Sequence, residues 1–327
     1  MIDILSLLKD TGAYKTVYAD KMNGTLSHAY LFISPDGDNI KEYLKVFAKV
    51  MSCKSDNPCG QCRACKLIDG ESFSDVLFFP KKEGAVLSED VNTLIEESYL
   101  KPIESDKKIF ILSNAETMNA SAQNKLLKTL EEPPKNVHIL IGSTSEFPLL
   151  STVKSRVKKL EIPIFSKEKL FSALKDDCPD TDKLLSAISC GDGTVGKALA
   201  LYDDENLSTA IDLAVDLIVN MKSSAQVLDY SVKISALKTD VSEFLSVLEL
   251  LYRDMLVCLQ GQEQLAVNKV ASSKIKNAVG YSTGSVINAL EKIQESYKRK
   301  KFNQSGTMLI EWLLFQILEG KYKWQKL

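Results

Sequence analysis

The first half of the chain alternates short apolar runs with segments of helical spacing. Five runs stand out, at 29–33 (AYLFI), 75–79 (DVLFF), 108–112 (KIFIL), 137–142 (VHILIG) and 157–162 (VKKLEI). Most are continuous rather than alternating, the pattern of strands covered on both faces, and such strands need a crossover between each pair. The intervening segments supply the crossovers. Residues 39–51 put Tyr43, Val46, Phe47 and Val50 on one face, 88–100 opens on Ser88 with Glu89 and Asp90 in its first turn, and 121–132 is stopped by Pro133 and Pro134. Beyond about residue 165 the strand signal ends, and the remainder reads as helices separated by short joints such as CGDG and LQGQEQ. The expectation is an α/β domain over 1–165, a small helical domain over 166–205 and a larger helical domain over 206–327.

Composition narrows the function classes. With 327 residues, 45% hydrophobic and 26% charged, the chain is long enough for two or three domains with substantial cores. Lys and Arg number 41 against 43 Asp and Glu, a net charge of -2, which excludes a polycation that grips nucleic acid by charge alone. No apolar stretch reaches the roughly 18 residues of a membrane span, and MIDILSLLKD lacks a signal peptide's basic start, so a cytoplasmic protein is expected.

Four of the seven cysteines, Cys53, Cys59, Cys62 and Cys65, fall within thirteen residues. Clustered thiols in a reducing compartment point to metal rather than disulfides, and the turn CGQCRAC can aim three sulfurs at one centre. Structural Zn²⁺ is the expected ion. An iron–sulfur cluster and free reduced thiols are the alternatives that spacing leaves open. His28 and His138 have no nucleophile or carboxylate at catalytic spacing and read as structural.

The turn after the first strand is where a phosphate-binding GxxxxGK[ST] loop would lie, and its defining positions hold Ser34, Asn39, Ile40 and Lys41 instead. Asp36 and Asp38 add negative charge that would repel a triphosphate. The third strand ends at Ser113 and Asn114, where a nucleotide hydrolase places an acidic pair; Glu116, two residues on, is expected to face solvent. A slipped loop using Lys41 is the alternative that keeps an ATPase.

The run NKLLKTLEEPP, the strand HAYLF, the four-cysteine insertion and STVKSR, in this order, resemble the AAA+ subunits of the bacterial DNA polymerase III clamp loader. The resemblance is specific over residues 1–205 and looser beyond. It implies an AAA+ α/β domain with a zinc module at 53–65, a helical lid, and a helical collar through which five subunits form an open ring. The departures at Ile40, Lys41, Ser113 and Asn114 fit a non-hydrolysing member, not the ATP-binding gamma or tau subunit, so ATP is not expected on this chain. The short C-terminus also differs from tau's long tail.

By the same resemblance, the partners are ATP-binding gamma or tau subunits and delta, with the sliding clamp and primed DNA reached through the complex. Ser155 and Arg156 match the family's Ser-Arg-Cys motif, with Val157 replacing the cysteine, and Arg156 is the implied arginine finger for a neighbour's ATP. From the residues alone, Arg156 also reads as a solvated arginine in KSRVKK. Lys197 stands where ATP-binding relatives carry a second sensor. In the collar, Phe244, Val247, Leu248, Leu251 and Leu256, then Met308, Leu309, Trp312, Leu313, Phe315 and Ile317, form apolar stripes, with Trp312 and Trp324 as aromatic anchor candidates. The competing function is a zinc-dependent nucleic-acid-binding module using CGQCRACK, whose basic content, Arg63 with Lys54 and Lys66, is thin.

Overall fold

The computed structural model describes residues 3–82, 84–237, 240–276, 278–300 and 305–323. The chain divides into two compact units, one of residues 1–174 with 194–196, the other of 175–193 with 197–327.

In the first unit, two short helices, α1 (Ile4–Leu8) and α2 (Gly12–Met22), precede β1 (Ala29–Ile33), α3 (Ile40–Ser52), α4 (Arg63–Asp69), β2 (Val76–Phe79) and α5 (Ser88–Ser98). Then come β3 (Lys108–Leu112), α6 (Ala120–Glu131), β4 (Val137–Ser143), α7 (Ser151–Lys154), β5 (Lys158–Glu161) and α8 (Lys167–Leu174). All five expected strands form, parallel, in the order β2-β3-β4-β1-β5.

Alternation along β1 divides the core. Ala29 and Leu31 join Val91, Leu94, Leu126 and Leu130 on the face covered by α5 and α6. Phe32 stacks on Phe47 of α3 with ring centroids 4.2 Å apart on the other. β5 departs from expectation, because Lys158, Lys159 and Glu161 are exposed. It is an edge strand, and its charges discourage pairing with another chain. Ser88 is not a cap either: Leu87 holds the cap position, and Asp90 accepts its backbone N–H at 2.9 Å.

Among its described residues the second unit forms helices and no strand: α9 (Thr181–Cys190), α10 (Val195–Asp203, whose first two residues pack with the first unit), α11 (Glu205–Asn220), α12 (Ser224–Ala236), α13 (Val241–Leu259), α14 (Lys269–Ile275), α15 (Thr283–Lys300) and α16 (Gly306–Lys323). Ala187, Cys190 and Leu201 share one core with Phe244, Leu248, Leu251, Leu313 and Ile317. An α/β sheet followed by an all-α region is the AAA+ arrangement the resemblance implies. No helix among the described residues is long and apolar enough to cross a membrane.

Candidate functional site

Parallel strands deliver their C-terminal ends to one edge of the sheet, where open α/β folds bind ligands. Here that edge carries the loop 34–39, Ser113–Asn114 and Ser143–Thr144. Ser34 N–H donates to Ser143 O at 3.1 Å, and Ser113 N–H to Phe79 O at 2.9 Å. A cleft of ≈850 Å³ opens beside them, lined among others by Lys41, Glu71, Lys82, Asn114 and Glu116.

The positions at which a phosphate-binding loop is expected are put to other uses. Ile40, at the position of the phosphate lysine, is 1% exposed. It packs so closely on β4 that a Cβ added to Gly142 would lie 2.9 Å from its Cγ1. Lys41 pairs with Glu71 at 2.7 Å and lies 5.6 Å from the Phe78 ring centroid. Its ammonium is committed to the α4 side of the cleft. Ser113 Oγ donates to Phe79 O at 3.0 Å, and Asn114 takes the left-handed conformation at φ 59°.

Glu116 corrects the expectation of a solvent-facing side chain. It is partly buried, Thr144 Oγ1 donates to its Oε1 at 2.9 Å, and its Oε2 is shielded with no partner among the described residues. Asp36 differs from its reading too, since its carboxylate turns inward rather than standing beside the cleft. It is 4% exposed and accepts hydrogen bonds from Tyr43 Oη at 2.6 Å and Val195 N–H at 2.8 Å.

Arg156 follows the C-terminal turn of α7. Its Nη1 donates to Thr152 O at 2.8 Å and Ser155 Oγ at 3.1 Å, and its Nη2 meets Glu131 Oε1 at 2.7 Å. Arg156 and Glu131 side chains are 34% and 48% exposed, so this ion pair is worth about 0–1 kcal/mol after solvent screening. Such a pair orients the guanidinium while leaving it cheap to redirect. Lys197, the candidate second sensor, is paired with Asp192 at 2.8 Å.

The cysteines converge. The four Sγ atoms of Cys53, Cys59, Cys62 and Cys65 lie within 4.8 Å of one another. Cys53 is 3.7 Å from Cys59 and 3.9 Å from Cys62. A tetrahedral zinc with Zn–S bonds of about 2.3 Å needs S···S edges of about 3.8 Å, so the donor set fits the ion. Local folding supplies the convergence. Gly60 at φ 67° turns the chain, and Cys62 caps α4 by accepting the Cys65 N–H at 3.4 Å.

The Cys62 backbone N–H, donated to Cys59 at 3.3 Å, leads the hydrogen bonds that hold the Cys59 thiol down to about 6. Burial pushes Cys65 up to about 12. Lys21 Nζ donates to Cys53 O at 2.8 Å and Ser55 O at 2.7 Å, tying the module to α2. Of the two histidines, His138 has its Nδ1 2.8 Å from Ser27 O, and burial lowers its pKa.

Residues 10–166 match the family model described as DNA polymerase III, delta subunit. Over 316 residues, the chain is 27% identical to DNA polymerase III subunit delta' of Bacillus subtilis, covering 94% of this chain and 95% of that one. The chain is thus similar to DNA polymerase III delta-prime along nearly its whole length. It is also 28% identical over 166 residues to subunit delta' of Haemophilus influenzae, covering 50% of this chain and 51% of that one. With subunit tau of Bacillus subtilis it shares 29% identity over 199 residues, 58% of this chain but 35% of tau. Among solved structures, a gamma subunit-related protein from Thermotoga maritima aligns with a TM-score of 0.43 and 17% identity, covering 93% of this chain and 99% of that one.

The residues that sequence reasoning missed are Glu131 and the inward role of Asp36. Glu131 lies within the quoted NKLLKTLEEPP run, but nothing in the spacing ties it to Arg156. Asp36 has a helix-start partner, Val195, 159 residues away.

Proposed function

We propose that this chain is a non-hydrolysing clamp-loader subunit, which supplies Arg156 to the ATP site of a neighbouring subunit and helps load the sliding clamp onto primed DNA. Its partners in this reading are ATP-binding gamma or tau and delta, the subunits named among its relatives. The observation that carries it is Ile40, buried against Gly142 where an ATPase would extend a lysine to phosphate. Arg156, by contrast, sits at a surface turn, and the only charge holding it among the described residues is a half-exposed carboxylate.

In the proposed mechanism the neighbour's γ-phosphate outcompetes Glu131 for the guanidinium. A planar fork with five donors then neutralises charge on the equatorial oxygens as the phosphoryl group leaves. Ser155 keeps its hold on Nη1 and limits the fork's rotation. Glu131 thereby acts as a positioning residue, and Glu131→Gln is expected to change the neighbour's turnover by less than about tenfold while barely altering stability. A steady-state ATPase assay of the assembled complex, with thermal melting of the chain, checks both.

The Cys53, Cys59, Cys62 and Cys65 cluster is assigned to one structural zinc, since four thiolates leave no open coordination position for substrate. The chain is further read as an AAA+ domain (1–165), a lid (166–205) and a collar (206–327). Within the second unit, Leu309, Leu313 and Ile317 of α16 are buried, whereas Met308 and Phe315 are exposed. Leu228 and Val232 of α12 are exposed as well, and Ser231 and Ser235 touch Glu311 and Thr307, so the two pairs lie on adjoining helices. Trp312 lies under Arg299, whose guanidinium carbon is 3.7 Å from its ring centroid, and Trp324 falls outside the described residues.

This face is assigned to a sister subunit's collar. Phe315→Asp is expected to weaken assembly by tenfold or more without lowering the melting temperature, as measured by analytical ultracentrifugation. The overall reading is tested by reconstitution. ATP turnover by the gamma or tau subunits should rise when this chain joins them with delta, and turnover indifferent to its presence would refute it.

A further inference from the structure

We propose that Asp36 is a built-in anion: its carboxylate fills the donor nest where the loop after β1 meets the residues opening α10, closing that part of the fold without a bound phosphate. The proposal deepens the reading above, and rests on it, by stating how the loop beside the emptied cleft is held without a ligand.

Three elements converge on this carboxylate. Val195 N–H donates to Oδ2 at 2.8 Å, and Gly196 N–H reaches both oxygens, at 3.2 and 3.3 Å. From α3, Tyr43 Oη donates to Oδ2 at 2.6 Å, while Asn39 Nδ2 lies 3.5 Å from Oδ1. Tyr43 is itself fully buried, with its ring edge-on to Phe165 at 6.1 Å. Val195 and Gly196 pack with the first unit, so the whole nest lies inside one compact body.

Two backbone amides at the start of a nine-residue helix plus a hydroxyl is donor chemistry suited to an oxyanion. Burying a carboxylate without such donors would be strongly unfavourable. Gly196 makes the approach possible, because a Cβ there would come within 2.8 Å of Asn39 Nδ2, Asp36 Oδ1 and Asp38 Cβ. The loop therefore lacks more than the residues that hold a phosphate. The amides that open α10 beside it are already spent on a side chain of the same charge.

The test is rescue of the full chain by a small anion. Asp36→Ala should melt at least ~4 °C below wild type. Sodium acetate or inorganic phosphate should recover part of that loss saturably, beyond what sodium chloride of equal ionic strength gives, while wild type shows no such specific response. Equal responses in the two proteins, or an unshifted melting point in the variant, overturn the proposal. If Asp36→Ala fails to fold, Asp36→Asn with amide hydrogen exchange decides: faster exchange at Val195 and Gly196 supports it, and exchange at the wild-type rate refutes it. Binding of Mg·ATP by the wild-type chain would sink the proposed function but leaves the anion-rescue result readable on its own, so the two failures are distinguishable.

Discussion

Replacing Arg156 by alanine is expected to leave the chain folded and the complex assembled, yet to slow hydrolysis at the one ATP site this subunit faces by about 10³-fold or more, the range arginine fingers command. Fold and chemistry separate here because the intramolecular ties of Arg156 are weak. One half-exposed ion pair, worth at most about 1 kcal/mol, and two hydrogen bonds at a surface turn hold it. The transition state asks more, since charge on a departing phosphoryl group is neutralised where water is excluded. Arg156→Lys keeps the charge but not the fork, so it should recover only a fraction of the rate. Single-turnover assays on complexes in which only that site can hydrolyse give the clearest readout. Wild-type turnover in the alanine variant would remove Arg156 from the mechanism.

The second large effect is expected from the cysteine cluster. A Cys59→Ser, Cys62→Ser variant should retain almost no zinc, and its 53–65 segment should become a site of rapid proteolysis. Apparent binding energies for structural thiolate zinc of about 10–16 kcal/mol far exceed what this short insertion gains from packing. In the native chain, metal binding must displace the Cys65 proton, which burial otherwise retains up to about 12. Ligand thiols bind zinc only as thiolates, so protons compete and zinc affinity should weaken as pH falls. Metal analysis after dialysis checks the first expectation and competition with a chelator across pH checks the second; undiminished zinc in the double variant would refute the assignment.

Much of the first unit was legible because its strands are buried runs. β1, β3 and β4 carry apolar residues with no solvent face to interrupt them, and all three begin where the runs begin. β5 was legible in place but not in environment, since an edge position is a property of sheet order, which no single segment encodes. α1 escaped because five residues are too few to show a helical period, and α2 because it presents few apolar positions. α2 buries Ala13, Tyr14 and Val17 and is marked mainly by the Thr11 cap, which accepts the Tyr14 N–H.

The sites divide along the same line. The cysteines lie within thirteen residues, so local turn chemistry alone brings them together. The degenerate loop was readable from absent residues at Ile40 and Lys41, but the inward turn of Asp36 was not, because its carboxylate is completed by Val195 and Gly196 from the far side of the sequence. Glu116 was misjudged for the same reason: its partner, Thr144, arrives on another strand's end.

The central claim is that this subunit's own pocket is closed to nucleotide while its arginine serves the pocket next door. Calorimetric titration of Mg·ATP into the purified chain, repeated after the ATP-binding partners are added, tests it most directly. No heat of binding from the chain alone, and saturable binding that appears only with the partners, is the predicted result. Tight, magnesium-dependent binding by the isolated chain would contradict it.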